Sequence, residues 1–271
     1  IDWDDDDWDH HHHDDDWDNH GGYNRNGDNN ININVENFNK ISGQRLTDAN
    51  RTSDELGLWL CQYFQRFGLE LGQVEDVVIG SVAPQVMHTL SRAVQKYVGK
   101  TPLVLDEALD PGLPYVECDS DERLGPDRAA ADIAAIAKYG APLVVLDFGT
   151  ATTLDAVSRE GVYLGGCITA GVQVSIDGLF QKTALLPRVE LVTVLSTTAV
   201  GQIQAGAVLG YIGAIEYLIR HAKEEIGQPD TKVVATGGLS RLVADNTELI
   251  DVVDPQLVLD GLRIIYERAR R

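Results

Sequence analysis

The chain has 271 residues, with 42 acidic side chains against 22 basic ones and a formal net charge of −20. That length is ample for a buried core and corresponds to about two ordinary domains or one large one. The acidic balance excludes the basic footprint of a nucleic-acid binder, and no window holds the ~18 apolar residues in succession that a membrane helix needs.

Residues 1–40 carry 12 acidic and two basic side chains, no Leu and no Ala, and nine Asn. Such a stretch cannot bury enough apolar surface to offset its ordering entropy. Residues 1–30 are therefore read as an anomalous or disordered leader, a tag or a misassigned stretch, although His10 to His13 among Asp residues could also bind a metal. Alternation first appears at Ile31 to Val35, a possible strand. Helical spacing of apolar residues runs over Ser53 to Phe64, with Thr52 or Ser53 as its cap. Val77 to Val82 reads as a buried strand, Pro84 to Val98 as a helix and Pro102 to Leu105 as a short strand. Arg128 to Tyr139 is Ala-rich and helical. Pro142 to Asp147, Thr152 to Ser158 and Val162 to Ile168 read as consecutive strands of an antiparallel meander. Gly171 to Lys182 and Thr198 to Glu225 read as helices, Lys232 to Ala235 as a strand and residues 255–271 as a last helix. Strands alternating with helices predict an α/β protein. No secretory leader is evident, and Cys61, Cys118 and Cys167 lack metal-like spacing, so a cytoplasmic protein with free thiols is expected.

Four segments could carry chemistry. In Leu146-Asp-Phe-Gly-Thr-Ala-Thr-Thr153 a strand runs into an acid, a glycine turn and hydroxyls. Gly149 would let backbone amides approach phosphate, Thr150, Thr152 and Thr153 could donate to it, and Asp147 could hold a cation or a water. The same residues could equally form an ordinary hairpin. Gly125-Pro-Asp-Arg128 sets an acid beside a base at a helix start. Arg128 could clamp an anionic substrate while Asp127 takes a proton from its hydroxyl. The alternative is Asp127 as a helix cap with Arg128 in solvent. Thr236-Gly-Gly-Leu239 would let a base or ribose lie on backbone at Gly237, or is a tight turn. Gly165-Gly166, then Thr169-Ala-Gly171 before a helix, suits a loop under a nucleotide, or packing where only Gly fits. His88 and His221 are expected to be surface or packing residues.

In order and spacing these segments resemble the type III pantothenate kinases of the acetate and sugar kinase, Hsp70 and actin superfamily. The resemblance covers about residues 45–271. Besides the four segments it runs through Arg51 to Gly57, Ser81 to Pro84, Tyr163 to Gly166 and Thr183 to Pro187. It implies two actin-like (ribonuclease H-like) domains with mixed sheets flanked by helices, here 31–124 and 125–271, with the active site between them. It further implies ATP-dependent phosphorylation of pantothenate, the first step towards coenzyme A. Magnesium, a potassium or ammonium ion and a homodimer go with it, and no nucleic acid or membrane. By the resemblance Asp127 is the general base, Gly125, Pro126, Asp127 and Arg128 form the pantothenate-binding stretch, Asp147 is the monovalent-cation ligand and Thr150 binds ATP.

Three departures from the family pattern stand out. The opening Asp-x-Gly-Asn-Thr-Asn phosphate loop is absent from the sequence. Cys118 occupies the place of a substrate-binding Tyr, with Tyr115 nearby. An expected Thr falls on Ala199, which leaves the adjacent Thr198 as the substrate-side candidate. A catalytically impaired regulatory relative and a kinase of another small hydroxy acid are the alternatives.

Overall fold

The computed structural model describes residues 52–80, 84–105, 111–116, 124–180 and 193–270. The leader at 1–30, the strand expected at 31–35, Cys118 and the segment 183–187 lie outside the described residues.

Helix α1, Ser53–Arg66, opens on a reciprocal cap. Thr52 Oγ1 accepts from the Glu55 amide at 3.2 Å, and Glu55 Oε2 accepts from the Thr52 amide at 2.8 Å. Helix α2, Pro84–Ala93, continues through a π-turn over Val94–Val98. The two helices bury Leu56, Tyr63, Phe64 and Ala93 between them. Strands β1 (Val78–Gly80) and β2 (Leu103–Leu105) form a parallel pair.

The larger sheet has five strands in the order β5-β4-β3-β6-β7. They are β3 Leu143–Phe148, β4 Ala151–Val157, β5 Tyr163–Ala170, β6 Lys232–Gly237 and β7 Val252–Val253. The β5-β4-β3 side is antiparallel and the β3-β6-β7 side parallel. This is the meander feeding a parallel sheet that the sequence predicts. Strand β7 was not foreseen: two residues are too few to show alternation.

Both faces of the sheet are covered. The remaining helices are α3 (Pro126–Tyr139), α4 (Val172–Phe180), α5 (Ala199–Gln204), α6 (Gly210–Ile226), α7 (Ser240–Ala244) and α8 (Leu257–Ala269). A π-turn over Ala205–Leu209 joins α5 to α6, so the long helix expected from Thr198 forms with one local widening. Alternation along β3 divides the core. Val144, Leu146 and Phe148 pack with Val172, Ile176, Val208, Ile212 and Ile219. Leu143 and Val145 pack on the other face with Ala131, Ala134 and Ala135 of α3 and Leu257 of α8. Each of the Val, Leu, Ile and Phe side chains among these contributes ~1.5–3 kcal/mol when fully buried. Helices α3 and α8 cross in close contact, because a Cβ on Gly261 would lie 1.9 Å from the Ala130 carbonyl oxygen.

The start of α3 differs from the expectation. The helix begins at Pro126 with Gly125 as its cap residue, two positions before Arg128. Pro supplies the helical φ and has no amide to leave unpaired at the first position. Asp127 therefore lies inside the first turn, and the side-chain cap considered for it does not form.

Candidate active site

The first turn of α3 carries Asp127 and Arg128 on the sheet face that holds Val145 and Val157. Asp127 Oδ1 accepts from the Arg128 amide at 2.9 Å. From that position Arg128 reaches down to Asp155 in the middle of β4. Its Nε donates to Asp155 Oδ2 at 3.1 Å, its Nη2 donates to Asp155 Oδ1, and Nη2 also donates to the Tyr163 hydroxyl at 3.3 Å. A two-point guanidinium–carboxylate pair fixes orientation as well as charge. The pair is largely sheltered, with 16% of the Arg128 side chain and 2% of the Asp155 side chain exposed. Tyr163 meets Tyr115 edge-on, ring centres 5.7 Å apart.

Gly166 lies opposite Asp155 in the β4–β5 ladder. A Cβ there would lie 2.1 Å from the Leu154 carbonyl oxygen, 2.8 Å from Asp155 Oδ1 and 2.9 Å from Arg128 Nη2. Gly166 is thus required by packing: its missing side chain is the space the ion pair uses. Burial pushes the Asp155 carboxyl upward, against the pull of the Arg128 guanidinium. Burial and the Asp155 charge push the Tyr163 hydroxyl up to about 12, so it stays neutral.

Asp147 sits one residue before the end of β3, with Thr153 and Thr236 as its neighbours on the flanking strands. Residues paired across a ladder share a face, and alternation puts Asp147, Thr153 and Asp155 on the α3 side. Gly237 has φ +89°, and a Cβ on it would stand 2.5 Å from Asp147 Oδ1. Only glycine satisfies both conditions at the end of β6. The turn after β3 exposes Thr150 and half-buries Gly149, whose amide donates to the Ala151 carbonyl at 3.1 Å.

Thr152 goes elsewhere. It is 1% exposed, and its hydroxyl is hydrogen-bonded to that of Tyr211 on the opposite side of the sheet. The structure brings Asp147, Gly149, Thr150 and Gly237 to one end of β3 and β6 and leaves Thr152 in the core behind them. Thr198 is exposed and caps α5, its Oγ1 accepting from the Gly201 amide at 3.1 Å. His88 and His221 are exposed, and the His221 ring packs at a tilt against Tyr217, ring centres 4.2 Å apart.

Thr153, expected from the sequence to donate to phosphate, lies on the Asp147 face of this site, as do Asp155 and Tyr163, which composition alone did not single out. The signal for Asp155 was available: Thr153 and Asp155 fall on alternate positions of β4 with Val157, the face that α3 covers. The donors beside Asp147 are oxygens, and no group of three His, Cys, Asp or Glu that could hold a metal ion occurs among the described residues. This donor set fits a hard cation completed by substrate oxygens, and does not fit a closed zinc-type centre.

The family model of the type III pantothenate kinases matches residues 29–221. The chain belongs to that family, which is one of kinases. Among solved structures, a Baf family protein from Campylobacter jejuni is similar with a TM-score of 0.50 at 20% identity, over 77% of this chain and 88% of that one. That likeness is one of fold alone. The activator of the 2-hydroxyisocaproyl-CoA dehydratase from Clostridium difficile with bound ADPNP aligns with a TM-score of 0.32 at 11% identity, over 70% of this chain and 85% of that one. No helix among the described residues is long and apolar enough to cross a membrane.

Proposed function

We propose that this chain transfers the terminal phosphoryl group of ATP to the primary hydroxyl of pantothenate. The observation that carries the reading is the Asp127–Arg128 pair at the start of α3, with Arg128 oriented by Asp155 and Tyr163. Arg128 binds the carboxylate of the acceptor and fixes its position. Asp127 accepts the proton of the hydroxyl as it attacks. Phosphoryl transfer needs little covalent help from the protein, so alignment and charge supply most of the effect. Gly125 and Pro126 set the entry of the chain into α3, and Thr198 borders the acceptor. Gly149 and Thr150 receive the phosphates, and Gly237 provides flat backbone beside the nucleotide. Thr152 supports that turn from the core through Tyr211. Asp147 is the protein ligand of a potassium or ammonium ion, which would offset the phosphate charge there. Magnesium is taken to travel with ATP.

The enzyme is proposed to act in the cytoplasm as a homodimer of two actin-like units per chain, divided near residue 124. Gly206, Gly210, Gly213, Ala214 and Tyr217 form an exposed stripe along α5–α6 that supports the dimer. The test is ADP release with pantothenate, other small hydroxy acids and sugars as acceptors. Turnover confined to pantothenate supports the assignment, and ADP release with another acceptor but not with pantothenate overturns it. The missing phosphate loop favours a second reading, a relative that keeps the cleft without turnover. For that reading the same assay gives no ADP with any acceptor.

A further inference from the structure

Asp132 lies one helical turn beyond Arg128, on the same side of α3. It is 0% exposed, and neither of its carboxyl oxygens has a hydrogen-bond partner among the described residues. An ionised carboxylate in that state costs several kcal/mol, and such groups keep their proton instead. The groups that face it come from three elements. Arg128 shares its helix, Asp155 approaches from β4, and Tyr163 lies on β5. On the far side of α3, α8 brings Asp260 to Lys138 instead. Two buried carboxyls thus compete for one guanidinium, and Asp155 holds it at two points. Burial, and then the Asp155 charge, push the Asp132 carboxyl well above the ordinary range.

Resting on the reading of Arg128 as the binder of an anionic acceptor, we propose that Asp132 is a proton-carrying positioning residue. By staying neutral it leaves Arg128 with positive charge to share between Asp155 and the acceptor carboxylate. The argument is one of charge count. A guanidinium has five N–H groups and a single charge. With Asp132 neutral, Arg128 faces Asp155 and the acceptor. With Asp132 ionised it faces three carboxylates, and the acceptor enters a site already overcharged with like sign. At a separation of ~6 Å and an effective dielectric near 20, that added repulsion corresponds to a loss of acceptor affinity of at least about tenfold.

Two variants separate this role from plain packing. Asp132→Asn keeps the shape and Asp132→Leu keeps the volume, and neither can ionise. The first readout needs no substrate. The folded state holds a proton on Asp132 that the unfolded chain releases near pH ~4, so the wild type loses stability as pH rises above that point, until the folded carboxyl ionises as well. The unfolding constant of the wild type should therefore climb relative to that of Asp132→Asn, by up to about tenfold per pH unit, as the pH rises above the ordinary carboxylate range. A flat ratio means that Asp132 is ionised in the fold and overturns the proposal. The second readout is the KM for pantothenate from about pH 6 to about pH 9, the range that buried carboxyls reach. In the wild type KM should rise at the alkaline end with kcat little changed. In both variants that rise should vanish, while KM near neutrality stays within about threefold. Parallel KM profiles in wild type and Asp132→Asn overturn the proposal. If Asp132→Leu fails to fold, Asp132→Asn still decides both readouts. A wild type that leaves pantothenate unphosphorylated while the stability ratio climbs overturns the substrate assignment and the acceptor half of this inference, but not the buried proton.

Discussion

Gly166→Ala puts the candidate site under direct strain. The added Cβ would lie 2.1 Å from the Leu154 carbonyl oxygen, where ordinary contact begins at 3.4 Å. It would also press on Asp155 Oδ1 and Arg128 Nη2 at 2.8 and 2.9 Å. The nearest atom is backbone in the adjacent strand, so it cannot swing aside. Either β5 parts from β4 by about 1 Å or the ion pair gives way. Overpacking of this kind costs ~1–3 kcal/mol of stability. A displacement of Arg128 by about 1 Å should lower kcat/KM for pantothenate by ~100-fold, which is ~2.7 kcal/mol of transition-state stabilisation. Gly165→Ala is the matched control. It meets nothing within 4 Å, but its φ of +137° is strained for any side chain. It should lose ~1–3 kcal/mol of stability with kcat/KM nearly unchanged. Urea unfolding and steady-state kinetics on the two variants are the assay. If Gly166→Ala keeps wild-type stability and kcat/KM, or if Gly165→Ala loses as much kcat/KM, the packing account of Arg128 is wrong.

Asp127→Asn should fold and bind ATP normally but turn over at least ~100-fold more slowly, as expected for a lost general base; wild-type turnover would remove Asp127 from the chemistry. Since Asp127 is not the cap of α3, the thermal midpoint should change little. Activity should rise with potassium or ammonium over sodium, and Asp147→Ala should lose that activation together with ATP affinity. Equal rates with and without potassium in a magnesium-containing, tris-buffered assay would sink the assignment of Asp147. Light scattering at micromolar concentration should give a dimer mass, and Gly210→Glu on the exposed stripe should shift it towards the monomer. A monomeric wild type contradicts the proposal.

Much of the frame was legible because it is written in local patterns. The cap at Thr52, the meander over 142–168 and the glycines that close β6 all follow from short-range rules. What escaped needed pairing information. Asp155 reads as a single acid in a strand until the register sets it opposite Gly166 and under Arg128. Thr152 and Thr153 are indistinguishable as hydroxyls in a motif, yet alternation sends them to opposite faces of the sheet. Asp132 looks like one polar residue in an Ala-rich helix, and only its complete burial makes it informative. The start of α3 was misjudged by two residues because Pro126 looks like a turn residue and serves equally as the first residue of a helix.

The direction of α3 ties these separate residues to one end of the sheet. At its C-terminal end the Tyr139 carbonyl accepts from Lys232 Nζ at 3.0 Å, and Lys232 is the first residue of β6. Near its N-terminal end Arg128 is bonded to Asp155, which pairs with Val145 midway along β3. Helix α3 therefore runs from the carboxyl ends of β3 and β6 towards their amino ends. Its N-terminus points to the end that holds Asp147, Gly237 and the exposed Thr150 turn. A helix N-terminus carries partial positive charge, worth ~0.3–1 kcal/mol to a nearby anion. In a protein with a net charge of −20, such local positive ends decide where a polyanion can approach. Arg128 adds a full charge there, and Asp155 fixes its orientation without neutralising it twice over, provided that Asp132 keeps its proton. In the proposed reaction the acid that would take the hydroxyl proton, Asp127, is adjacent in sequence to the base that would bind the carboxylate, Arg128. The two lie one residue apart on the first turn of α3, so the proposed acceptor binding and proton removal would be aligned by the same helix.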